Sequence, residues 1–259
     1  MEVSVLQIFG EVAFLFLGGI MSYKTLALIG EDAPKSVLNS LCDLGFEVLI
    51  LARDPRLSSP VSSHADMLVF PVGNKIFASS EYIKSNRETF ARIEERGYTV
   101  VPCNCDVKNL YPHDIHFNVA LIEKVAYGNM PFVAKEVKEY LASVGVDICT
   151  VKQGYAKCST VVLNGAIITA DSGIAKAAKT DGVDTLIIKN SAESVRLDGY
   201  EYGFLGGACG YLDGTLYFCG DISKHPQYYQ IAEFAEAHST VLCSLGDDTL
   251  CDVGGIFFI

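Results

Sequence analysis

The chain is expected to fold as an α/β propeller of fivefold pseudo-symmetry, built from ββαβ units whose last member is closed by the N- and C-terminal segments. Three observations predict this. A turn residue followed at once by a Val/Ile-rich run recurs five times. A helical stretch precedes each recurrence, and ahead of each helix lies a short strand that is usually preceded by another apolar run across a tight turn.

The recurring runs are GFEVLIL from Gly45, GYTVVPC from Gly97, GVDICTV from Gly145, GVDTLII from Gly182 and HSTVLCSL from His238. A glycine that ends a helix just before a β-rich run matches the left-handed C-cap that helices favour. The helical stretches are 33–44, 82–96, 132–144, 172–181 and 226–237. Their apolar residues return every three or four positions, as in Val133, Val137, Tyr140, Leu141 and Val144, so one face of each is expected to be buried.

The strands ahead of the helices are KTLALIG (24–30), KIFAS (75–79), KVAYG (124–128), AIITA (166–170) and TLYFCG (215–220). Four are preceded by apolar runs in DMLVFPVGN, IHFNVALIE, STVVLNG and CGYLDG, where VGN, LNG and LDG supply hairpin-turn chemistry. The remaining unit is split. The chain enters at its second strand and ends on its first, DVGGIFFI (252–259), so joining the ends closes the ring and hides sheet edges. An open doubly wound sheet would need strands separated one by one by helices, and a phosphate loop before a helix. Here GGACG (206–210) precedes a hairpin.

No linker interrupts the series, which reads as one domain over 21–259. Residues 1–20 are apolar but carry Glu2 and Glu11 and lack the basic start of a signal peptide. They are expected to be an extension outside the fold, with Met21 a second plausible start. An amphipathic helix for a partner or membrane surface is the alternative.

At 259 residues and 50% hydrophobic content the chain can bury a large core. A net charge of −11 without any basic cluster argues against a nucleic-acid partner and fits a small cationic molecule better. Nine scattered cysteines read as reduced thiols of a cytoplasmic protein, with Cys42, Cys149, Cys219 and Cys243 inside apolar runs as small hydrophobes. Cys103 and Cys105 with His113 and His116 make a C-x-C and an H-x-x-H, but structural zinc favours wider cysteine spacing, so no metal is expected.

The five-unit plan resembles the pentein, or guanidino-modifying-enzyme, superfamily, which includes deiminases, dimethylarginine hydrolases, amidinotransferases and a non-catalytic ribosome anti-association factor. YPHDIHFNVALI, GYAKCSTVVLNGAIITADSGIAKA, YGFLGGACGYLDG and CDVGGIFF look like an uncharacterised family of this fold from anaerobic Firmicutes. The resemblance covers nearly all of 21–259 and is specific for fold rather than activity, because the superfamily includes non-enzymes. It implies a site at the axis, where the first strands converge. The segments leading into those strands are SSHAD (62–66), YPHDIH (111–116), YAKCS (155–159), FLGGACG (204–210) and LCDVGG (250–255).

The implied chemistry needs a thiolate to attack a guanidinium carbon, carboxylates to hold the cation and a histidine to move protons, with no cofactor. Cys158 is the candidate nucleophile, beside Lys157, which is expected to lower its pKa. His64 and His116 are the candidate bases, with His113 close by. Asp66, Asp114 and Asp252 occupy equivalent positions as candidate substrate ligands, together with Lys157, Gly206, Gly207, Gly254 and Gly255. Structural readings stand beside these: a core thiol, turn-capping aspartates, and glycines that permit close packing at the axis.

The chain departs from the enzymatic pattern in one respect. Catalytic members place the cysteine near the C-terminus after a glycine-rich turn, whereas Cys251 precedes DVGG. Two functions follow: a cysteine-dependent hydrolase or transferase acting on a guanidino or related small cation, and a non-catalytic pentein that binds a metabolite or a protein partner.

Overall fold

Apolar runs in this chain assemble in threes, and the computed structural model shows five such mixed sheets arranged as the repeat predicts. It describes residues 5–8, 11–16 and 19–259. In each sheet the first two strands are antiparallel across a tight turn, and the third returns parallel to the second after a helix.

The four continuous units place their strands at Val69–Val72, Lys75–Ser79 and Thr99–Cys103; Ala120–Ile122, Val125–Gly128 and Asp147–Thr150; Thr160–Leu163, Ala166–Thr169 and Asp184–Ile187; and Cys209–Leu212, Thr215–Phe218 and Val241–Ser244. The split unit is completed as expected. Phe257 and Phe258 pair antiparallel with Leu28 and Ala27, while Leu26–Gly30 runs parallel to Glu47–Leu51. Reciprocal bonds between Leu26 and Ile259, 2.8 and 2.9 Å, fix this closure.

Burial follows strand position. The middle strands Leu26–Gly30 and Ala166–Thr169 are buried along their whole length, covered on both faces, and so read as unbroken apolar runs. The third strands lie at the rim, where Ile148, Ile187 and Val241 are exposed. The expectation for the cysteines is corrected accordingly: Cys219 is buried, Cys149 and Cys243 on third strands are only partly covered, and Cys42, on the outer face of the helix Lys35–Asp43, is exposed. No cysteine is paired with another among the described residues.

The helices bury one face each, through Val37 and Leu41, Val137 and Leu141, Ile174 and Ala178, or Ile231 and Ala235. Val144, expected on the buried face, caps its helix and is exposed. The stretch expected at 82–96 forms two helices, Ser80–Ser85 and Arg87–Glu95. Ser79 caps the first by accepting from the Tyr82 amide. Asn86 breaks the second from it, with its side chain donating to the Tyr82 carbonyl. The DML of the first lead-in segment, expected in a strand, is instead the helical turn Ala65–Leu68.

Three antiparallel strands, Val5–Ile8, Glu11–Phe16 and Gly19–Lys24, form a separate sheet that shares no strand with the five among the described residues. The expectation for residues 1–20 falls partly on 1–4, 9–10 and 17–18, which lie outside the described residues. No described helix is long and apolar enough to cross a membrane.

Gly45, Gly97, Gly145 and Gly182 end their helices at φ between +74° and +93°, while Ser239 holds the same place in the fifth unit at φ +53°. A Cβ on Gly145 would meet nothing within 4 Å, so any cost there is backbone strain alone. Gly145→Ala is expected to lose about 1 kcal/mol of stability in urea denaturation. Ser239→Gly relieves the same strain but loosens the unfolded chain, and is expected to gain about 0.5 kcal/mol. Equal midpoints for Gly145→Ala and the native chain would refute the strain account.

Candidate active site

The lead-in segments interlock at the axis through backbone hydrogen bonds. The Asp66 amide donates to Gly254 O at 3.1 Å, and Gly207 N donates to Cys158 O at 3.0 Å. Val253 N and Gly255 N both donate to Gly207 O, at 2.9 and 2.7 Å. Side chains have almost no room here. A Cβ on Gly206 would lie 2.4–2.6 Å from the carbonyl oxygens of Thr160, Cys158 and Lys157, and one on Gly207 would lie 2.0 Å from Asp252 Oδ1. One on Gly254 would meet His64, and one on Gly255 the Lys157 ammonium. None of these four glycines lines the cavity described below; they let the functional side chains approach one another.

Cys158 Sγ lies 2.8 Å from Asp66 Oδ2, although the two residues are 92 apart in sequence. The thiol donates to the carboxylate. Asn118 holds the thiol from the other side, donating through Nδ2 to Sγ at 3.1 Å while its Oδ1 accepts from the Lys157 amide at 2.7 Å. Asp66 and Asn118 are wholly buried, and the second oxygen of Asp66 has no hydrogen-bond partner. Nearby, His64 Nδ1 sits 3.6 Å from Asp252 Oδ1. Asp252 is fixed by the backbone, its Oδ2 accepting from Phe204 N at 2.8 Å and its Oδ1 from Gly254 N at 3.0 Å.

Burial dominates the electrostatics. Desolvation pushes the Asp66 carboxyl up to about 6, opposed by Lys157 and His64 and assisted by Asp252. Desolvation likewise raises the Cys158 thiol well above its ordinary value, and the carboxylates of Asp66 and Asp252 raise it further. This corrects the expectation that Lys157 activates the thiol. Its Nζ turns to the Gly206 carbonyl at 2.6 Å and lies over the Phe257 ring, so its charge acts on Asp66 instead. In the free protein Cys158 is a neutral thiol.

A cavity of about 300 Å³ opens onto this cluster. Cys158, His64 and Asp252 line one part of it, and Tyr155, Tyr200, Tyr202 and Phe204 supply aromatic wall. Asp66 lies behind Cys158.

The other sequence candidates fall elsewhere. Asp114 accepts from Tyr155 Oη at 2.7 Å and reaches the cavity only through that tyrosine. His116 is not brought to the cluster: its ring nitrogens lie 2.7 Å from Phe132 O and 3.3 Å from Asp106 O, and its ring neighbours His113 at 6.4 Å. Sequence reasoning missed Asn118 and Tyr155. Asn118 was detectable as the one polar residue between Phe117 and Val119 in an apolar run; Tyr155 had no such signal.

With this geometry in place, comparison with known proteins identifies the family. The chain belongs to the family of unknown function DUF6873, whose model matches residues 28–257. No curated protein sequence matches it. Among solved structures it is similar to a DDAH from Pseudomonas aeruginosa complexed with citrulline, at 11% identity and TM-score 0.52, covering 85% of this chain and 91% of that one. It is also similar to the amidinotransferase SxtG from Microseira wollei, at 10% identity and TM-score 0.52, covering 83% and 77%. A third is the N-terminal domain of ArgZ, an arginine dihydrolase of cyanobacteria, at 9% identity and TM-score 0.53, covering 90% and 95%. At such identities the likeness shows the pentein fold.

Two predictions follow from the packing and charge of the cluster. Gly207→Ala is expected to cost about 1–3 kcal/mol in urea denaturation, because its Cβ would force Asp252 from its backbone donors. The native Asp66 carboxyl binds its proton more tightly than the unfolded chain does, at about 6 against 3.8. Ionising it therefore costs stability, a cost that sets in between those pH values and persists above them. Asp66→Asn should gain stability relative to the native chain as pH rises from about 4 to 6, read from denaturation midpoints. A difference that stays constant with pH would rule out a raised Asp66.

Proposed function

We propose that the protein is a cysteine-dependent hydrolase or transferase acting on a guanidino or related small cationic substrate. The observation that carries this reading is the 2.8 Å contact between Cys158 Sγ and Asp66, at the wall of a cavity that His64 and Asp252 also line. A planar guanidinium or amidinium offers N–H groups that a carboxylate accepts, and Asp252 is the carboxylate of the cluster that lines the cavity. Nine unpaired thiols fit a reducing compartment, the cytoplasm.

The raised thiol has a place in this chemistry. Two buried carboxylates disfavour a third negative charge, and a bound cation offsets them, so thiolate formation is tied to substrate arrival. Asp66, in direct contact, takes the thiol proton. Sγ then forms a bond to the guanidinium carbon, and a C–N bond breaks as the amine departs with a proton delivered by His64. Water adds to the S-bound carbon and gives a proton back to His64, the C–S bond breaks as Asp66 returns its proton to Cys158, and a urea-type product leaves. In a transferase an acceptor amine takes the place of water. Asp252 orients His64 through the 3.6 Å approach of Oδ1 to Nδ1.

The high native thiol also favours a second reading, a non-catalytic pentein that uses the same carboxylates to recognise a cation. Turnover and labelling separate the two. The native protein is expected to convert a guanidino compound to its urea-type product, and Cys158→Ser to lose that activity by at least about a hundredfold, as should His64→Ala. Mass-spectrometric mapping should show alkylation of Cys158 slowed by the same compound. Ligand binding that Cys158→Ser leaves intact, with no turnover by the native chain, would instead establish the binding protein.

A further inference from the structure

The walls of the cavity carry information about the far end of the ligand. Beyond Cys158, His64 and Asp252, its lining is Val61, Met67, Leu197, Tyr155, Tyr200, Tyr202, Phe204 and one further charged residue, Glu201. Neither lysine nor arginine lines it, and Lys157 is engaged with the Gly206 carbonyl. No fixed positive charge on the wall is therefore free to receive a carboxylate. Arg53 and Arg196 line an adjoining cavity that shares His64, Leu197 and Asp252 with this one. Both already have partners, Arg53 in Glu31 and Asp32, and Arg196 in Asp198 and the Cys251 thiol.

Glu201 makes no hydrogen bond or ion pair with the described residues. It stands between Tyr200 and Tyr202 in sequence, and all three line the cavity. A carboxylate without a cationic partner, flanked by aromatic rings whose faces attract cations, is suited to an ammonium group. The apolar residues that share the cavity, Val61, Met67 and Leu197, suit a methylene stem.

We propose that Glu201, with Tyr200 and Tyr202, forms a subsite for a second cation, so that the ligand is a carboxylate-free guanidine or amidine with an amine at the end of an apolar stem. This rests on the reading of Cys158, Asp66 and His64 as the head-group site and adds the specificity of the tail. Glu201 is a specificity residue here; it takes no part in bond making. An α-carboxylate on the same stem would be placed beside Glu201, with no lysine or arginine to offset the repulsion.

The test is a set of matched probes: agmatine, which carries the terminal amine; butylguanidine, which has no second charge; and arginine, which adds a carboxylate. Affinity is read by calorimetry on the native protein and on Glu201→Gln, and turnover is followed alongside. Agmatine is expected to bind at least about fivefold tighter than butylguanidine, and arginine more weakly than either. Glu201→Gln should bring the agmatine-to-butylguanidine ratio close to one, with the fold intact because the residue is exposed. If arginine binds as tightly as agmatine and is turned over through Cys158, the subsite is overturned while the guanidino reading stands. An unchanged ratio in Glu201→Gln also overturns it. If none of the three probes binds or protects Cys158 from alkylation, both the subsite and the guanidino reading fall.

Discussion

The close approach of backbones at the axis is the constraint on which the rest of this structure depends. Five sheets can meet around a point only if their lead-in segments pack with little between them, and the chain meets that condition with glycine. Gly206 lies against three carbonyl oxygens, Gly207 against the Asp252 carboxylate and Gly254 against His64. The Gly207 carbonyl then accepts two amides from the C-terminal segment, which ties the lead-in of the Cys209–Leu212 sheet to the closing one. Side chains at these positions would push apart the groups that make the site, so the packing of the axis and the geometry of the cluster have one cause.

That packing explains the electrostatics. Water is excluded from Asp66, Asn118 and Cys158, and each is held by a neighbour instead of by solvent. Desolvation then raises both the carboxyl and the thiol, which keeps a proton between Sγ and Oδ2. A surface cysteine beside a lysine would behave in the opposite way. Here the lysine's ammonium is directed to a backbone carbonyl.

How much of this was legible in the sequence depended on whether the signal was local. Strand and helix repeats were legible because burial imposes periods of two and three to four residues, and because left-handed glycines mark four helix ends. Asp66, Asp114, Asp252 and Cys158 were legible as a set, since each stands at an equivalent position ahead of a first strand, although Asp114 is held by Tyr155 away from the other three. Their contact was not, because it joins segments far apart in the chain. Local neighbours misled in two places. Lys157 adjoins Cys158 in sequence, but its long side chain bends towards Gly206. His116 lies in an equivalent segment, yet its ring is turned to the carbonyls of Phe132 and Asp106. The direction a side chain takes is set by its three-dimensional neighbours, which period and spacing do not encode.

Closure of the ring and assembly of the site are the same event. Phe257 and Phe258 complete the sheet begun by Leu26–Gly30, and the residues just before them carry Asp252 to His64 and supply the Gly254 carbonyl that accepts from the Asp66 amide. His64 and Asp66 belong to the segment that leads out of that same sheet, while Cys158 arrives from a unit across the axis. Only when the C-terminal strand is docked are the histidine and the thiol–carboxylate pair both held. The cluster is thus built from segments remote in sequence and adjacent only in the closed ring, so it has no existence in any single unit. Asp252 accepts from Gly254 within the C-terminal segment and from Phe204 outside it, so the position of that segment sets the carboxylate against His64.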